Sequence, residues 1–516
     1  MLDVPAKFCS ILCESAADPI GKESSEMPSF FRDLNLDQIV NAVTTGKEQY
    51  NLKPLFYTRL SNTKQIAYRQ EIMRDLDSPT ILTHLTTFAT RMDAVRQILA
   101  ASQKSDCQYH KEGYFLSASE RYCQAIEQLL GGLQNSQIHS LGMRLFRAYL
   151  ADYAASERFR ILAGEAGTTR SNLSAIRYCL VLGEGKIAVR NYDSETDYTS
   201  AVEETFARFK QGAVKDYTIK FPSSSGMNHI DVQVLQRVAL LNPTAFDALE
   251  KFCLAHTDFL DKSISDFDRE IQFYIAWIEY QNKFKRIGLT FCYPTVSSTS
   301  KSVNSRNSFD LALAGHLITR KAPVVCNDFM LEEPERILVI SGPNQGGKTT
   351  LSRMFGQLHY LASLGCSVPG DTAKLFFFDR LFTHFEREED ISTLRGKLQD
   401  DLARIHDILL EATPKSIVIM NEIFSSTSVE DGLYLGKKVI EKLSELDVLC
   451  VCVTFLDELS RLNEKTVSAV AMIVPDDPAR RTYRVERKPA DGLAYALAIA
   501  EKYRVTYTCL KERIKQ

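Results

Sequence analysis

The stretch Ile337-Leu338-Val339-Ile340-Ser341-Gly342-Pro343-Asn344-Gln345-Gly346-Gly347-Lys348-Thr349-Thr350-Leu351 decides how the second half of this chain is read. Ile337 to Ile340 reads as a buried strand, the glycine-rich run as a tight turn, and Leu351 to Leu364 as a helix. In that strand–loop–helix setting G-x-x-x-x-G-K-T is a phosphate-binding loop. The residue types fit the chemistry. Glycines let main-chain N–H groups close on phosphate oxygens, and the helix start adds the positive end of its dipole. Lys348 is expected to bridge the β and γ phosphates of a nucleotide, and the Thr349 hydroxyl to bind Mg²⁺. Gly342 through Thr350 are therefore the expected nucleotide-binding residues.

Such a loop needs a second strand that ends in acid, and Ser416-Ile417-Val418-Ile419-Met420-Asn421-Glu422 supplies one with an alteration. Asn421 stands where a metal-associated carboxylate is expected. An amide orients a magnesium-bound water without contributing charge, so the ion depends more on Thr349 and the nucleotide oxygens. Glu422 is placed to polarise the attacking water, and to reach the ion through water. It and Lys348 are the expected catalytic residues. Ile337 to Ile340, Leu375 to Phe378, Ile417 to Met420, Val448 to Val453 and Val470 to Val474 all read as buried strands with helical stretches between several of them, which predicts a mostly parallel α/β sheet.

Upstream the pattern changes. Residues 297–308, Ser297-Ser298-Thr299-Ser300-Lys301-Ser302-Val303-Asn304-Ser305-Arg306-Asn307-Ser308, contain one apolar residue and read as a linker. Before it, apolar residues three and four apart predict helices over Ile81 to Leu99 and Leu129 to Leu162. Ile176 to Leu182 and Lys186 to Tyr192 flank a glycine turn and read as a hairpin, and Tyr217 to Phe221 as a further strand. Ile264, Phe267, Ile271, Tyr274 and Ile278 form an apolar seam on one long helix, with Trp277 a core residue beside it. The expected division is a tail over 1–26, a mainly helical region over 27–296, the linker, and the phosphate-loop domain over 309–516.

Composition narrows the class. Among 516 residues, 45% are hydrophobic and 25% charged, with a formal net charge of −3, which excludes a disordered or collagenous chain and lacks the basic excess of a protein held mainly by nucleic-acid phosphates. No window reaches the roughly 18 apolar residues of a membrane span, and the first residues lack a signal-peptide pattern, so a cytoplasmic protein without a membrane partner is expected. The twelve cysteines are scattered, with Cys179, Cys253, Cys450 and Cys452 in apolar surroundings, and read as reduced core thiols. No structural metal box is present by spacing.

Taken together these motifs resemble the ATPase domain of the MutS family of DNA mismatch repair proteins. The loop Gly342 to Thr350 is similar to that family's GPNMGGKST, and Asn327-Asp328 to its approach to the strand. Asn421-Glu422-Ile423-Phe424-Ser425-Ser426-Thr427-Ser428 with Asp431-Gly432-Leu433 is similar to its DE-(I/L)-GRGTS…DGL. The resemblance covers residues 309–516 strongly and implies an α plus α/β multidomain fold: a helical core and lever region followed by a P-loop NTPase domain of ABC type. It implies ATP and Mg²⁺ as cofactors, a homodimer with nucleotide sandwiched between subunits, and DNA as partner.

The departures from the family pattern carry their own expectations. Its mismatch-reading domain and phenylalanine wedge are not recognisable. In Val453-Thr454-Phe455-Leu456-Asp457-Glu458-Leu459, Phe455 stands in place of a histidine that senses the γ-phosphate, and a phenyl ring cannot make that bond. His384, following a neighbouring strand, is the candidate substitute. In Leu394-Arg395-Gly396-Lys397-Leu398, Gly396 and Lys397 are the expected contacts to the partner copy's phosphates. Val324 and Val325 are candidates to lie against adenine. Two basic clusters, Lys283 with Lys285 and Arg286, and Lys511 with Arg513 and Lys515, read as helix C-termini. The alternatives to a DNA-acting ATPase are an ATP-gated protein-interaction module and a binding-only pseudo-ATPase.

Overall fold

A computed structural model describes residues 8–14, 24–183, 186–195, 229–386, 396–474, 477–490, 505–507 and 510–511. The α-helices in chain order are α1 (Leu36–Thr44), α2 (Lys53–Tyr57), α3 (Thr63–Leu76), α4 (Pro79–Lys104), α5 (Gln108–Gln134), α6 (Leu141–Ala155), α7 (Glu157–Ser174), α8 (His229–Leu241), α9 (Pro243–Ala255), α10 (Lys262–Lys285), α11 (Leu311–Thr319), α12 (Lys348–Ser363), α13 (Lys397–Glu411) and α14 (Val429–Glu445). The strands are β1 (Tyr178–Gly183), β2 (Lys186–Asn191), β3 (Phe291–Cys292), β4 (Thr295–Ser297), β5 (Val303–Ser308), β6 (Asn327–Leu331), β7 (Ile337–Ser341), β8 (Val368–Pro369), β9 (Thr372–Phe376), β10 (Leu381–His384), β11 (Ile417–Asn421), β12 (Leu449–Val453), β13 (Thr466–Val474) and β14 (Asp477–Arg487). Among the described residues, no helix is long and apolar enough to cross a membrane.

The chain forms two compact units interleaved in sequence. The first comprises Met1–Phe8, Ser78–Ile138 and Arg144–Asp268, and the second Cys9–Asp77, His139–Met143 and Arg269–Gln516. In the first, Pro79 opens α4 with a fixed φ that suits a first helical turn. Phe88, Leu116, Ile126 and Phe146 are among its fully buried side chains. The Tyr122 and Tyr153 hydroxyls bond each other at 3.0 Å, which lets two phenols enter this core without an unpaired polar atom. β1 and β2 form the expected antiparallel hairpin, with Tyr178 opposite Asn191. The strand expected at 217–221 lies outside the described residues.

One expected helix is broken. The stretch Leu129 to Leu162 stops at Gln134, restarts at Leu141 and is interrupted again at Ser156. The Asp75 carboxylate accepts from the main-chain N–H groups of His139 and Ser140 at 3.1 and 2.9 Å, and from the Ser140 hydroxyl at 2.6 Å. It thus holds donors that precede α6 by a side chain remote in sequence, which apolar periodicity cannot reveal.

The second unit contains a six-stranded sheet in the order β10-β11-β12-β7-β13-β14, parallel throughout except for the antiparallel β14. β7 and β12 are buried at every residue, as parallel strands covered on both faces require. The expected strand at 375–378 is shifted, since β9 ends at Phe376 and belongs to a separate four-stranded sheet, β4-β9-β5-β6. The apolar seam of α10 is entirely buried, as is Trp277, whose Nε1 donates to the Ser367 hydroxyl at 3.2 Å. Cys450 and Cys452 are buried in β12, whereas Cys179 and Cys253 are only half-buried.

Two boundary expectations are corrected. Residues 297–308 are not a linker: Val303 pairs with Leu331 of β6 and Asn304 with Lys374 of β9, placing β5 inside a sheet. Val303, Ser305 and Ser308 are buried, and the two serine hydroxyls bond each other, so main-chain and side-chain polar groups are both satisfied without apolar composition. Nor are all of residues 1–26 a tail. Ser10, Ile11 and Leu12 are buried, Ile11 N–H donates to Glu270 at 2.9 Å, and the Tyr68 hydroxyl donates to the Ser10 carbonyl at 2.7 Å.

Arg69 of α3 fastens this segment. Fully buried, it donates from Nε to the Leu12 carbonyl and from Nη1 to the Leu364 carbonyl, both at 3.0 Å, with its guanidinium 5.0 Å from the Phe273 ring centre. Arg69→Leu leaves two buried carbonyls without these donors but also removes the cost of burying a cation. A loss of about 2–4 kcal/mol in unfolding free energy is expected from denaturant titration of the full chain.

Candidate nucleotide site

The loop between β7 and α12 is shaped by backbone that only particular residues tolerate. Gly342 has φ +109°, and a Cβ there would lie 3.0 Å from the main-chain N and O of Ala471 on β13. Gly347, which caps α12, has φ +98° and faces the Tyr483 carbonyl of β14 at 3.2 Å from an added Cβ. The glycines therefore allow the loop to turn and let the β13–β14 hairpin close against it.

Lys348 is buried and turns back into the loop, donating from Nζ to the Gly342 carbonyl at 2.7 Å and to Asn344 Oδ1 at 3.2 Å. Burial lowers the proton affinity of its ammonium, and Glu422 opposes that shift while Arg481 reinforces it. Both internal acceptors are neutral. A phosphate is a stronger acceptor for the same donor, so the loop fits a nucleotide's phosphate chain.

Thr349 Oγ1 donates to Asn421 Oδ1 at 2.8 Å. This bond joins the phosphate loop to the end of β11 and brings together the two residues expected beside Mg²⁺. Both offer neutral oxygens, leaving Glu422 as the adjoining anionic donor. Glu422 has φ +54° and its N–H donates to the Val453 carbonyl at 2.8 Å, so β12 holds it in a left-handed conformation at the sheet's edge of exit. Phe455, two residues past Val453, is 51% exposed.

The remaining expected residues are placed differently. His384 does not follow β10 but ends it, opposite Met420 of β11. It is 1% exposed, with Nε2 3.3 Å from Asp401 of α13. Nε2 thus faces a carboxylate in the core, while Nδ1, also buried, has no hydrogen-bond partner among the described residues. Gly396 caps α13 and is exposed, and Lys397 pairs with Glu386 of its own chain. Leu394 and Arg395 lie outside the described residues, as do Arg513 and Lys515.

Two residues of the site, Arg481 and Tyr483, escaped sequence reasoning. Arg481 of β14 donates from Nε to the Asn344 carbonyl at 3.1 Å. Tyr483, 53% exposed, lies beside Gly347. Asn327 fixes it, donating to the Tyr483 carbonyl at 3.0 Å and accepting from Val485 N–H at 2.8 Å. Val324 and Val325 are half-buried just before Asn327. Only the Asn327-Asp328 dipeptide gave a signal, because the hairpin's contacts with the loop span more than a hundred residues of sequence.

Residues 338–512 match the family model for MutS domain V. Over this stretch the chain is similar to MutS domain V. A DNA mismatch repair protein MutS of Fervidobacterium nodosum is 28% identical over 199 residues, covering 38% of this chain and 24% of that protein. The matched part thus spans about a quarter of the relative's length. The matched residues contain the loop, the Thr349–Asn421 bond, Glu422 and the β13–β14 hairpin in one stretch of chain.

Proposed function

We propose that this chain binds ATP with Mg²⁺ at residues 342–350, hydrolyses it, and works as a homodimer whose nucleotide state governs its grip on DNA. The observation that carries this is the 2.8 Å Thr349–Asn421 bond, which assembles the phosphate loop, the strand end and Glu422 into one site. Lys348 exchanges its neutral loop acceptors for the β and γ phosphates. Thr349 would hold the ion, with Asn421 and Glu422 beside its water shell, and the ion when bound would neutralise phosphate charge. Glu422 would orient and polarise the attacking water.

In the closed dimer, Gly396 and Lys397 of one copy face the phosphates of the other, and Lys397 exchanges Glu386 for that contact. His384 keeps its internal partner and takes no part. The DNA role draws support from the matched family and its mismatch repair relative, and no wedge-based mismatch reading is included in it.

The test is a titration of homoduplex, mismatched and branched DNA at low and high salt, with and without ATP and Mg²⁺. Binding that weakens steeply with salt, through counterion release, and changes with nucleotide is expected. Absence of DNA binding in every condition overturns the DNA role and leaves an ATP-gated protein-interaction module.

A further inference from the structure

The meeting of two cations on one residue of the phosphate loop is not accounted for by Lys348 alone. Asn344 receives Lys348 Nζ on its side-chain oxygen at 3.2 Å and Arg481 Nε on its main-chain oxygen at 3.1 Å. Arg481 comes from β14, where it pairs in register with Ile473 of β13, so the hairpin that closes on Gly342 and Gly347 also carries this guanidinium to the loop. Like charges brought this close repel one another. A site in which two fixed cations converge is suited to a ligand carrying several negative charges.

We infer that Arg481 is a second phosphate-binding cation, positioned by the Asn344 carbonyl to act with Lys348 on the terminal phosphates of a nucleoside triphosphate. This rests on the nucleotide-binding role of the loop and adds to it a charge supplied by the β13–β14 hairpin. That charge stands in a site where Asn421 replaces a carboxylate and Phe455 offers no hydrogen bond. The guanidinium's planar fork suits phosphate oxygens.

The alternative is a neutral clasp, in which Arg481 merely holds the Asn344 carbonyl. Arg481→Gln keeps an N–H donor and removes the charge, whereas Arg481→Lys keeps the charge. Both are compared with the parent full-length chain by calorimetric titration of Mg-ATP at low and high NaCl. Arg481→Gln is expected to weaken ATP about tenfold at low salt, with a smaller loss at high salt, and Arg481→Lys to recover most of the affinity. Parent-like affinity in Arg481→Gln, an equal loss at both salts, or equal losses in the two variants overturns the inference. Lys348→Ala is the separate control, since parent-like ATP affinity in that variant overturns nucleotide binding at the loop itself.

Discussion

Glu422→Gln will bind ATP about as tightly as the parent chain and turn it over at least about 100-fold more slowly. The substitution keeps the side chain's volume, and the bond that fixes residue 422, N–H to the Val453 carbonyl at 2.8 Å, belongs to the main chain. What is removed is the carboxylate proposed to accept hydrogen bonds from the attacking water. Glu422 also supports the charge on Lys348, so its loss leaves that ammonium more dependent on the nucleotide's phosphates. Phosphate release and ATP titration on the same preparation separate the two effects. Unchanged turnover, or none in the parent, overturns the hydrolytic role and leaves a site that binds without turning over, as Asn421 and Phe455 would favour.

Lys348→Ala is expected to lower ATP affinity at least about 100-fold while leaving the unfolding temperature in the absence of nucleotide within a few degrees of the parent. The two outcomes part because, among the described residues, the ammonium is held without nucleotide by the Gly342 carbonyl and Asn344 Oδ1, and its burial opposes its charge. Removing it forfeits two hydrogen bonds but relieves a desolvated cation, so the contributions to folding offset one another. In complex with ATP nothing offsets the loss. Thermal unfolding with and without Mg-ATP reads both, because a ligand bound to the native state raises stability by an amount set by its affinity. The parent should shift upward with ATP and the variant should not. An equal shift in both places nucleotide elsewhere than this loop.

The loop was legible because its residues are contiguous and each has a local reason: glycines where φ is positive, a lysine and a threonine at the helix start. β7, β11 and β12 were legible for the same reason, being uninterrupted apolar runs. The 297–308 segment was not, because pairing on both edges of β5 and the Ser305–Ser308 bond compensate for its polarity only after distant strands arrive. Arg481 and Tyr483 carry no local signal, and only the pairing of β14 with β13 brings them to the loop. His384 illustrates the converse. Its neighbourhood in sequence suggested a ligand contact, whereas α13 supplies Asp401, a partner that only the fold discloses.

Arg69 donates to the Leu364 carbonyl across 295 residues of chain. On a ribosome adding roughly 5–20 residues per second, that carbonyl follows Arg69 into existence by about 15–60 seconds. Through that interval residues 9–77 have been synthesised but lack the partners that bury Ile11, Leu12 and Arg69, while the intervening Ser78–Ile138 and Arg144–Asp268 segments can already collapse as their own compact unit. Nascent chains therefore carry an unpaired segment through that interval. For the same reason, a fragment beginning at residue 309 does not recover the second unit, because part of that unit's interior is encoded far upstream, at residues 9–77.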